Sequence, residues 1–479
     1  MARETVSMSA KTIACQVHGR TIPATTSLPA LSDFMANRRS PSILGANGAV
    51  AGMEEFSYWA AEPREVFEFC ADQKDPFAKL EERLGHYSIQ GGRPPHLPEG
   101  IFYGGWIGYF GYELGRHIER LPQTTVDDPA VPLIRLCFYD RLIAYDHRAE
   151  IFWAIVLELP ADVESPAEKM AGLERWLDEA AGAPFAEPPA TDIERFDLST
   201  VRSNMTRPDY LEAIERAKCY IRDGDIYQVN LSQRFERPFH GRPIDLFHWQ
   251  NRHNASPYAA YIDTGRFQVV SASPEMFVSI RQRHIRTKPI KGTRRRFRPQ
   301  EQDSERRNEQ NLRELRESAK EQAELNMIVD LERNDIARIC IPGTRRVIQP
   351  RTVEAYPTVF HAVATIGGQL GDDVRFTDVL RAVFPGGSIT GAPKIRAMEI
   401  IDELEPTTRG VYTGSIGFIG LDGTVCLNIA IRTVIIAAHK AFAQTGGGIV
   451  ADSEPEAEWE ETITKARALL AGIEAVQEP

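Results

Sequence analysis

A strand-rich segment in the first half of the sequence restricts the fold more than any other feature. Residues 136–159, LCFYDRLIAYDHRAEIFWAIVLEL, are rich in aromatic and branched side chains and predict two strands joined by a turn at 146–148. Two strands joined by so short a turn run antiparallel. Further strands are predicted at 267–280, 414–420 and 424–437, and helices at 208–223, 304–339 and 454–476. Because helices and strands do not alternate regularly, we predict a mixed α/β fold with antiparallel sheets and not a doubly wound parallel sheet.

Composition sets one boundary and excludes several classes of protein. The Ala/Pro-rich segment 181–189 predicts an exposed connection between an N-terminal half, residues 1–190, and a C-terminal region, residues 191–479. No apolar run approaches the ~18 residues of a membrane span, and the net charge of −11 disfavours a nucleic-acid partner. The six cysteines show no CxxC spacing, which argues against a zinc site or disulfides. We therefore expect a cytoplasmic protein with reduced thiols.

The segment TKPIKGTRRR, residues 287–296, contains a lysine between a proline-led extended stretch and a glycine. A lysine in a loop is usually solvated, and the residues alone leave open whether Lys291 is a surface charge or a nucleophile. As a nucleophile it must be neutral, which requires burial to lower its pKa from the ordinary value of ~10.4. The arginines at 294–296 would act in the same direction.

Two of the predicted helices carry glutamates three residues apart. Glu321 and Glu324 lie on one face of a helix whose later part is apolar around most of its circumference, so this part should be buried. A carboxylate in such surroundings needs a cation or several hydrogen-bond donors. Glu458 and Glu461 could instead form a solvated face with Lys465 one turn further on. If the two helices face each other, their carboxylates could bind a hard cation such as Mg²⁺.

Two glycine-rich segments precede predicted helices, FPGGSITGAPK at 384–394 and TGGGIVADSE at 445–454. Free backbone N–H groups at the start of a helix bind carboxylates as readily as phosphates. Each segment alone could equally be an ordinary tight turn. Two such loops together with a cation site would suit a small polyanionic substrate.

Taken together, the motifs resemble those of the chorismate-utilising enzymes, which include anthranilate, aminodeoxychorismate, isochorismate and salicylate synthases. The resemblance covers roughly residues 200–475. It implies a single α/β fold of two large antiparallel β-sheets packed between helices, with the active site between the sheets. The segments that carry it are SASPE (271–275), PIKGT (289–293), AELNMIVDLERND (323–335), YPTVFH (356–361), GGSITGAPK (386–394), GVYTGSIG (410–417), IRT (431–433) and GGGIVADSEPEAEWEETITKA (446–466).

The same resemblance implies a set of site residues around chorismate. Mg²⁺ would bind through Glu324 and Glu458, with Glu321 and Glu461 as a second pair close by, and would hold the ring carboxylate. The other implied residues are Glu275 as general acid and base, His361 beside the ring, Tyr412 and Arg432 at the enolpyruvyl carboxylate, Ser388, Gly391 and Gly447 in the loops, and Lys465 in the substrate site.

Lys291 indicates a branch of this family. Anthranilate synthases resemble PIAGT at this segment, whereas component I of aminodeoxychorismate synthase resembles PIKGT. Gln228 stands where isochorismate and salicylate synthases have a lysine that activates water, so water attack is disfavoured. The resemblance thus implies amination of chorismate, with Lys291 as a covalent nucleophile. Because the sequence lacks a G-x-C-x-G glutaminase elbow, the ammonia is expected from a separate glutamine amidotransferase subunit.

Two alternatives remain at this stage. The chain could be component I of an anthranilate synthase, which adds ammonia at C2 of chorismate, and Lys291 is the feature against this interpretation. It could also be a non-catalytic subunit that only binds chorismate. Retention of every implied metal and acid–base position argues against that second alternative.

Overall fold

The computed structural model describes residues 12–477 except 24, 47–54, 190, 192, 194–195 and 199–200. Its helices are α1 (Leu28–Ala36), α2 (Pro76–Leu84), α3 (Pro166–Gly182), α4 (Arg207–Arg222), α5 (Pro243–His253), α6 (Ser304–Glu317), α7 (Ala319–Ala337), α8 (Phe376–Val383), α9 (Lys394–Leu404) and α10 (Pro455–Ala475). Within these described ranges, no helix is both long and apolar enough to cross a membrane.

The strands are short and distributed along the whole described chain. They are β1 (Ile13–Ile22), β2 (Ser42–Leu44), β3 (Phe56–Ala60), β4 (Glu65–Phe69), β5 (Tyr87–Ile89), β6 (Gly105–Phe110), β7 (Ile134–Tyr139), β8 (Arg141–Asp146), β9 (Ile151–Glu158), β10 (Arg202–Ser203), β11 (Gln228–Pro238), β12 (Tyr258–Asp263), β13 (Phe267–Ser273), β14 (Met276–Arg281), β15 (His284–Lys288), β16 (Ile290–Arg295), β17 (Arg346–Ala355), β18 (Val359–Gln369), β19 (Gly391–Ala392), β20 (Ser415–Gly420), β21 (Val425–Asn428), β22 (Thr433–Ala437) and β23 (Lys440–Ile449).

These strands form two large sheets. One has 13 strands in the order β10-β11-β23-β22-β13-β12-β2-β3-β8-β9-β1-β5, with β19 paired to β11. The other has 10 strands in the order β16-β18-β15-β14-β21-β20-β6-β7-β4, with β17 paired to β18. The pairs are antiparallel apart from β1 with β5. The predicted mixed fold with two large, mainly antiparallel sheets is confirmed, and both sheets combine strands from before and after residue 190.

Apolar side chains from the two sheets pack against each other in one core. Tyr58 on β3 and Phe418 on β20 belong to different sheets, and their rings meet edge to face with centroids 5.5 Å apart. A second core lies between the 13-stranded sheet and helices α1, α3, α5 and α10, where Leu31, Leu173 and Leu470 are fully buried. The 13-stranded sheet is therefore covered on both faces.

The chain crosses directly from one sheet to the other at four short connections. These are residues 61–64 between β3 and β4, Asp140 between β7 and β8, residues 274–275 between β13 and β14, and residues 429–432 between β21 and β22. The predicted hairpin at 136–159 is therefore only partly right: β8 and β9 form it, but the residues before Asp140 belong to the other sheet. The last two connections lie side by side, because the backbone N–H of Ile429 donates to the carbonyl of Glu275 at 3.0 Å.

Residues 304–339, which the sequence pattern predicts as a single helix, form two helices, α6 and α7, that meet at Ser318. The Ser318 backbone is extended, with ψ 105°, and its side chain accepts a hydrogen bond from the N–H of Glu321. A serine with glutamate three residues later is a sequence signature of a helix start, so this break had a local signal. The break turns the first two turns of α7, which carry Glu321 and Glu324, towards the strand that contains Lys291.

Candidate active site

Lys291 projects from an irregular part of β16. Ile290 pairs with Val363 and Thr293 pairs with His361, so Lys291 and Gly292 together lie opposite a single residue of β18. This is a β-bulge, which bends a strand and redirects its side chains. Gly292 adopts a φ of +93°, a conformation that glycine accepts readily.

The amino group of Lys291 has few partners for a lysine inside the protein. Its Nζ donates to the carbonyl oxygen of Ser388 at 3.4 Å, and no described carboxylate lies within 4 Å of it. Burial lowers the pKa of Lys291, and the opposing effects of Glu275 and Glu324 do not restore it. The amine is therefore neutral at a lower pH than that of a free lysine, as a nucleophile requires.

Glu275 occupies the connection between β13 and β14 and is 4% exposed. Burial raises the pKa of its carboxyl group, while Ser388 and Lys291 oppose the rise. The Ser388 hydroxyl is close enough to affect this carboxyl group, although its Oγ makes no hydrogen bond of ordinary geometry within the described protein. A carboxyl group with a raised pKa is better suited than an ordinary glutamate to donate its proton to a leaving group.

His361 on β18 is almost completely buried and neutral. Its Nδ1 is hydrogen-bonded to Thr293 Oγ1 at 2.8 Å, and its Nε2 has no partner among the described residues. Burial, together with the charge of Arg432, lowers the pKa of His361 to about 3. The free Nε2 of a neutral imidazole can accept or donate one hydrogen bond to a ligand.

Arg432 is the last residue of the connection between β21 and β22, and its side chain is a cation. Its guanidinium has no hydrogen-bond or ion-pair partner among the residues that the structure describes, and burial lowers its pKa. Its backbone has a φ of +51°, which is uncommon for a residue other than glycine and typical of functional positions. A partly buried arginine without a counter-ion is suited to bind an anionic ligand.

Tyr412 and Gly391 are also buried close to the connections between the sheets. Tyr412 is 6% exposed, and burial raises the pKa of its phenol, so the hydroxyl remains a hydrogen-bond donor. Gly391 pairs with Val229 on β11, and a Cβ atom there would lie 2.1 Å from the carbonyl oxygen of Gln228. Any residue other than glycine would therefore displace the loop at 386–391.

Of the four predicted metal ligands, Glu458 and Glu461 converge on one glycine, and Glu324 is close enough to Glu321 and Glu461 to be affected by their charges. Burial raises the pKa of Glu324, and Glu321 and Glu461 add to the rise. Burial also raises the pKa of Glu458, which accepts a hydrogen bond from Ser453 Oγ at 2.7 Å. A Cβ on Gly447 would lie 3.0 Å from Glu458 Oε2 and 3.9 Å from Glu461 Oε1, so these two carboxylates converge on the glycine.

Glu461 and Lys465 form the i,i+4 pair expected for a solvated helix face. Their charged atoms are 2.6 Å apart, and both side chains are about half exposed, at 52% and 48%. Burial alone would raise the pKa of Glu461, but Lys465 outweighs it and the pKa is lowered. Lys465 also donates to the carbonyl of Gly446 at 2.9 Å, which fastens α10 to the second glycine-rich loop.

The carboxylates fit a hard cation in their chemistry but do not form a closed ligand cage. Among the described residues, no group of three or more His, Cys, Asp or Glu side chains is arranged to hold a metal ion. However, Glu324 has no hydrogen-bond or ion-pair partner in the described chain, and its pKa and that of Glu458 are raised by burial and neighbouring negative charge. A divalent cation would relieve that repulsion, and carboxylate oxygens are the ligands that Mg²⁺ prefers.

Glu321, the fourth predicted metal ligand, directs its carboxylate elsewhere. Its Oε1 accepts a hydrogen bond from Arg294 at 2.7 Å, and Arg351 lies 4.0 Å from its Oε2. The reason is the start of α7 at Ser318, which places Glu321 in the first turn, against β16. Sequence spacing alone put Glu321 and Glu324 on one face and could not show this difference.

A buried ion pair that the motifs did not reveal connects the loops of the site. Arg409 donates to Glu405 through two nitrogens, at 2.7 and 2.9 Å, and to the carbonyl of Ile389 at 3.0 Å. Backbone N–H groups of Arg409 and Gly410 donate to Glu113. Tyr412 follows three residues after Arg409, so this network fixes it relative to the loop at 386–391. The only sequence signal is the i,i+4 spacing of Glu405 and Arg409.

A buried lysine with a lowered pKa, a buried acid and an arginine without a described counter-ion, at the junction of two large sheets, define an enzyme that acts on a small anion. The chain belongs to the family of chorismate binding enzymes, whose model matches residues 38–471. It is 40% identical over 401 residues to aminodeoxychorismate synthase component 1 of Salmonella typhimurium. The aligned region covers 84% of this chain and 83% of that protein.

Other relatives have a different activity at similar identity. Anthranilate synthase component 1 of Streptomyces coelicolor is also 40% identical, over 385 residues that cover 79% of this chain and 74% of that protein. The crystal structure of anthranilate synthase component I from Streptococcus pneumoniae superposes with a TM-score of 0.74 at 31% identity, covering 87% of this chain and 92% of that one. Overall similarity does not separate the two activities, so particular site residues must do so.

Proposed function

We propose that this chain converts chorismate and ammonia to 4-amino-4-deoxychorismate, on the route to 4-aminobenzoate and folate. The observation that carries the proposal is the environment of Lys291, whose amine lies at a bulge, near the loop at Ser388, with no described carboxylate within 4 Å. Anthranilate synthases resemble PIAGT at this position and have no amine there. A lysine with a lowered pKa therefore favours amination at C4 over amination at C2.

The chemistry takes place in two additions. In the first, the neutral amine of Lys291 forms a bond to C2 of chorismate, the ring double bonds shift, and the C4–O bond breaks as Glu275 gives its proton to the departing hydroxyl, which leaves as water. In the second, ammonia forms a bond to C4, the double bonds shift back, and Lys291 leaves C2 as a free amine. The surplus proton of the new ammonium group returns to the Glu275 carboxylate, which restores the site.

The remaining residues hold the substrate. Arg432 and Tyr412 suit the enolpyruvyl carboxylate, because one is an unpaired cation and the other a buried hydroxyl donor. Glu324 and Glu458 would hold Mg²⁺, with Glu461 nearby. The bound ion would supply Lewis-acid polarisation of the ring carboxylate. Neutral His361 would present its free Nε2 to the ring.

The ammonia would come from glutamine through a separate amidotransferase subunit. The name of the relatives, component 1, supports a second component, and the sequence has no glutaminase elbow. We place the enzyme in the cytoplasm, because all six cysteines are free thiols.

The test is the identity of the amino product. The purified chain, incubated with chorismate, Mg²⁺ and ammonium at alkaline pH, should form 4-amino-4-deoxychorismate, identified by chromatography and mass spectrometry. Glutamine should support the reaction only after an amidotransferase component is added, and excess EDTA should stop it. Anthranilate as the main product would overturn the proposal, and absence of any product would favour a non-catalytic subunit.

A further inference from the structure

Glu321 belongs to the network around the Lys291 strand. Its Oε1 accepts from Arg294 of β16, and its Oε2 is buried without a hydrogen-bond partner among the described residues. Arg351 of β17 lies 4.0 Å from Oε2. Both side chains are largely buried, since Glu321 is 17% and Arg351 13% exposed. The carboxylate is thus neutralised by two arginines from β16 and β17, the strands that pair with β18 on either side.

Gly292, the residue next to Lys291, leaves the space that this carboxylate fills. A Cβ atom on Gly292 would lie 2.8 Å from Glu321 Oε2 and 2.8 Å from Leu315 Cδ1, closer than such atoms approach. The absence of a side chain at 292 therefore lets the first turn of α7 and the end of α6 pack directly on the bulge. The bulge has lost regular pairing with β18 at this point, so it needs support from elsewhere.

Arg351 joins the same contacts to the end of α6. Its guanidinium donates to the carbonyl oxygens of Leu315 and Arg316, which lie in the last turn of that helix and lack partners within it. Strands β16 and β17 and helices α6 and α7 therefore meet around one carboxylate. Leu315 and Phe360 form a small apolar cluster of their own beside it.

We propose that Glu321 is a positioning residue for Lys291, which acts through Arg294 and the backbone at Gly292, and that it is not a ligand of the metal ion. The inference rests on the proposed role of Lys291 as nucleophile. A nucleophile must be held close to its attack geometry, and a displacement of about 1 Å can cost on the order of 10²-fold in rate. Loss of the carboxylate should therefore slow the addition to C2 while substrate and metal still bind.

The experiment compares Glu321→Gln with Glu324→Gln, the same substitution one turn further along α7. Isothermal titration calorimetry with Mg²⁺ alone measures metal affinity, and steady-state kinetics with chorismate and ammonium separate kcat from KM. We expect Glu321→Gln to keep the Mg²⁺ affinity within about twofold and the KM for chorismate nearly unchanged, with kcat reduced about 10–100-fold. Glu324→Gln should lose Mg²⁺ affinity by tenfold or more.

A second pair of variants tests the route of the effect. Arg294→Gln should reproduce the loss of kcat, and the charge-reversed double variant Glu321→Arg with Arg294→Glu should recover part of it. Labelling of Lys291 by trinitrobenzenesulfonate, mapped by mass spectrometry, reports the amine without any turnover. Its rate should change in Glu321→Gln and Arg294→Gln without a shift in the pH at which the amine becomes reactive, whereas Glu324→Gln, which removes a charge that favours the protonated amine, should lower that pH.

Each possible result either supports or overturns the proposed role of Glu321. Equal loss of Mg²⁺ affinity in Glu321→Gln and Glu324→Gln would make Glu321 a metal ligand and overturn the proposal, as would an unchanged kcat. If Glu321→Gln fails to fold by circular dichroism, the surface-accessible Arg294→Gln carries the test alone, and unchanged kcat there overturns the proposal too. Metal binding and labelling do not depend on the product, so anthranilate formation would refute the proposed function and leave these readouts intact.

Discussion

Two lysines inside this protein have opposite surroundings. Lys169 on α3 is 1% exposed and donates to Asp140 at 2.7 Å, Asp162 at 2.6 Å and the carbonyl of Leu157 at 2.8 Å. All three hydrogens of its ammonium group are therefore used. Within the part of the chain that the structure describes, Lys291 makes one hydrogen bond, at 3.4 Å, to the carbonyl of Ser388. Both lie near points where the chain passes between the two sheets, so the architecture alone does not explain the difference.

The difference lies in the carboxylates. Burial would raise the pKa of Asp140, but Lys169 holds it below its ordinary value, so each partner keeps the other charged. At the connections that carry Glu275 and Arg432, burial raises the pKa of the acid and lowers the pKa of Lys291 and Arg432. The connection at Asp140 contains a complete ion pair with Lys169, which stabilises the fold. The connections that carry Glu275 and Arg432 contain groups whose charges are not compensated within the protein, as expected where a charged ligand binds.

The largest expected effect is that of removing the uncompensated amine. Lys291→Ala should lower the rate of 4-amino product formation by about two orders of magnitude or more, because C2 is no longer attacked by the lysine. At high ammonia, part of the chorismate should go to a 2-amino product or anthranilate. Lys291→Arg should be nearly inactive in both directions, since a guanidinium stays protonated. Product chromatography checks this, and wild-type rates in Lys291→Ala would show that the lysine is a bystander.

Removal of the Glu275 carboxyl group should lower the rate of turnover but raise the reactivity of Lys291 towards a labelling reagent. Glu275→Gln should reduce kcat about 10²–10⁴-fold, because the leaving hydroxyl loses its proton donor. Glu275 is the main charge that favours the protonated form of Lys291. Its loss should therefore increase labelling of Lys291 by trinitrobenzenesulfonate at pH 8. A decrease in both measurements would mean that Glu275 only maintains the structure.

The paired lysine should matter for stability alone. Lys169→Met leaves Arg64 beside Asp140 and Asp162 and Arg141 beside Asp140, and breaking a buried pair in this way costs about 3–5 kcal/mol. Urea unfolding should show this loss, whereas kcat and KM of the folded enzyme should stay near wild type. The exposed Lys74 provides a control: Lys74→Met should change the free energy of unfolding by less than about 0.5 kcal/mol. Loss of activity without loss of stability in Lys169→Met would contradict the comparison.

The sequence predicted these two regions unequally. Motifs placed Lys291, Glu275 and Arg432 in one site, because functional residues cluster in short recognisable segments. The Lys169 network left no such signal, since Asp140 and Lys169 are 29 residues apart and meet only because the chain changes sheets at Asp140. The direction of the Glu321 carboxylate was also hidden, since it depends on the helix start at Ser318 and on the bulge at Gly292. Strand and helix segments were predictable from local pattern, whereas sheet membership is a long-range property.

The smallest expected effect is that of Lys291→Met on stability. It compares the two lysines directly, because substitution by methionine should stabilise the protein at position 291 and destabilise it at position 169. The folded-state pKa of Lys291 lies below its ordinary value of 10.5, so the charged form is less favourable in the folded protein than in the unfolded chain, and charging this lysine opposes folding at neutral pH. Lys291→Met should therefore raise the melting temperature at pH 7 by about 1–3 °C. The gain should shrink as the pH rises towards 10.5, where the unfolded chain also loses the proton. Differential scanning calorimetry between pH 7 and 10 measures both trends, and a fall in melting temperature at pH 7 would show that Lys291 is paired after all.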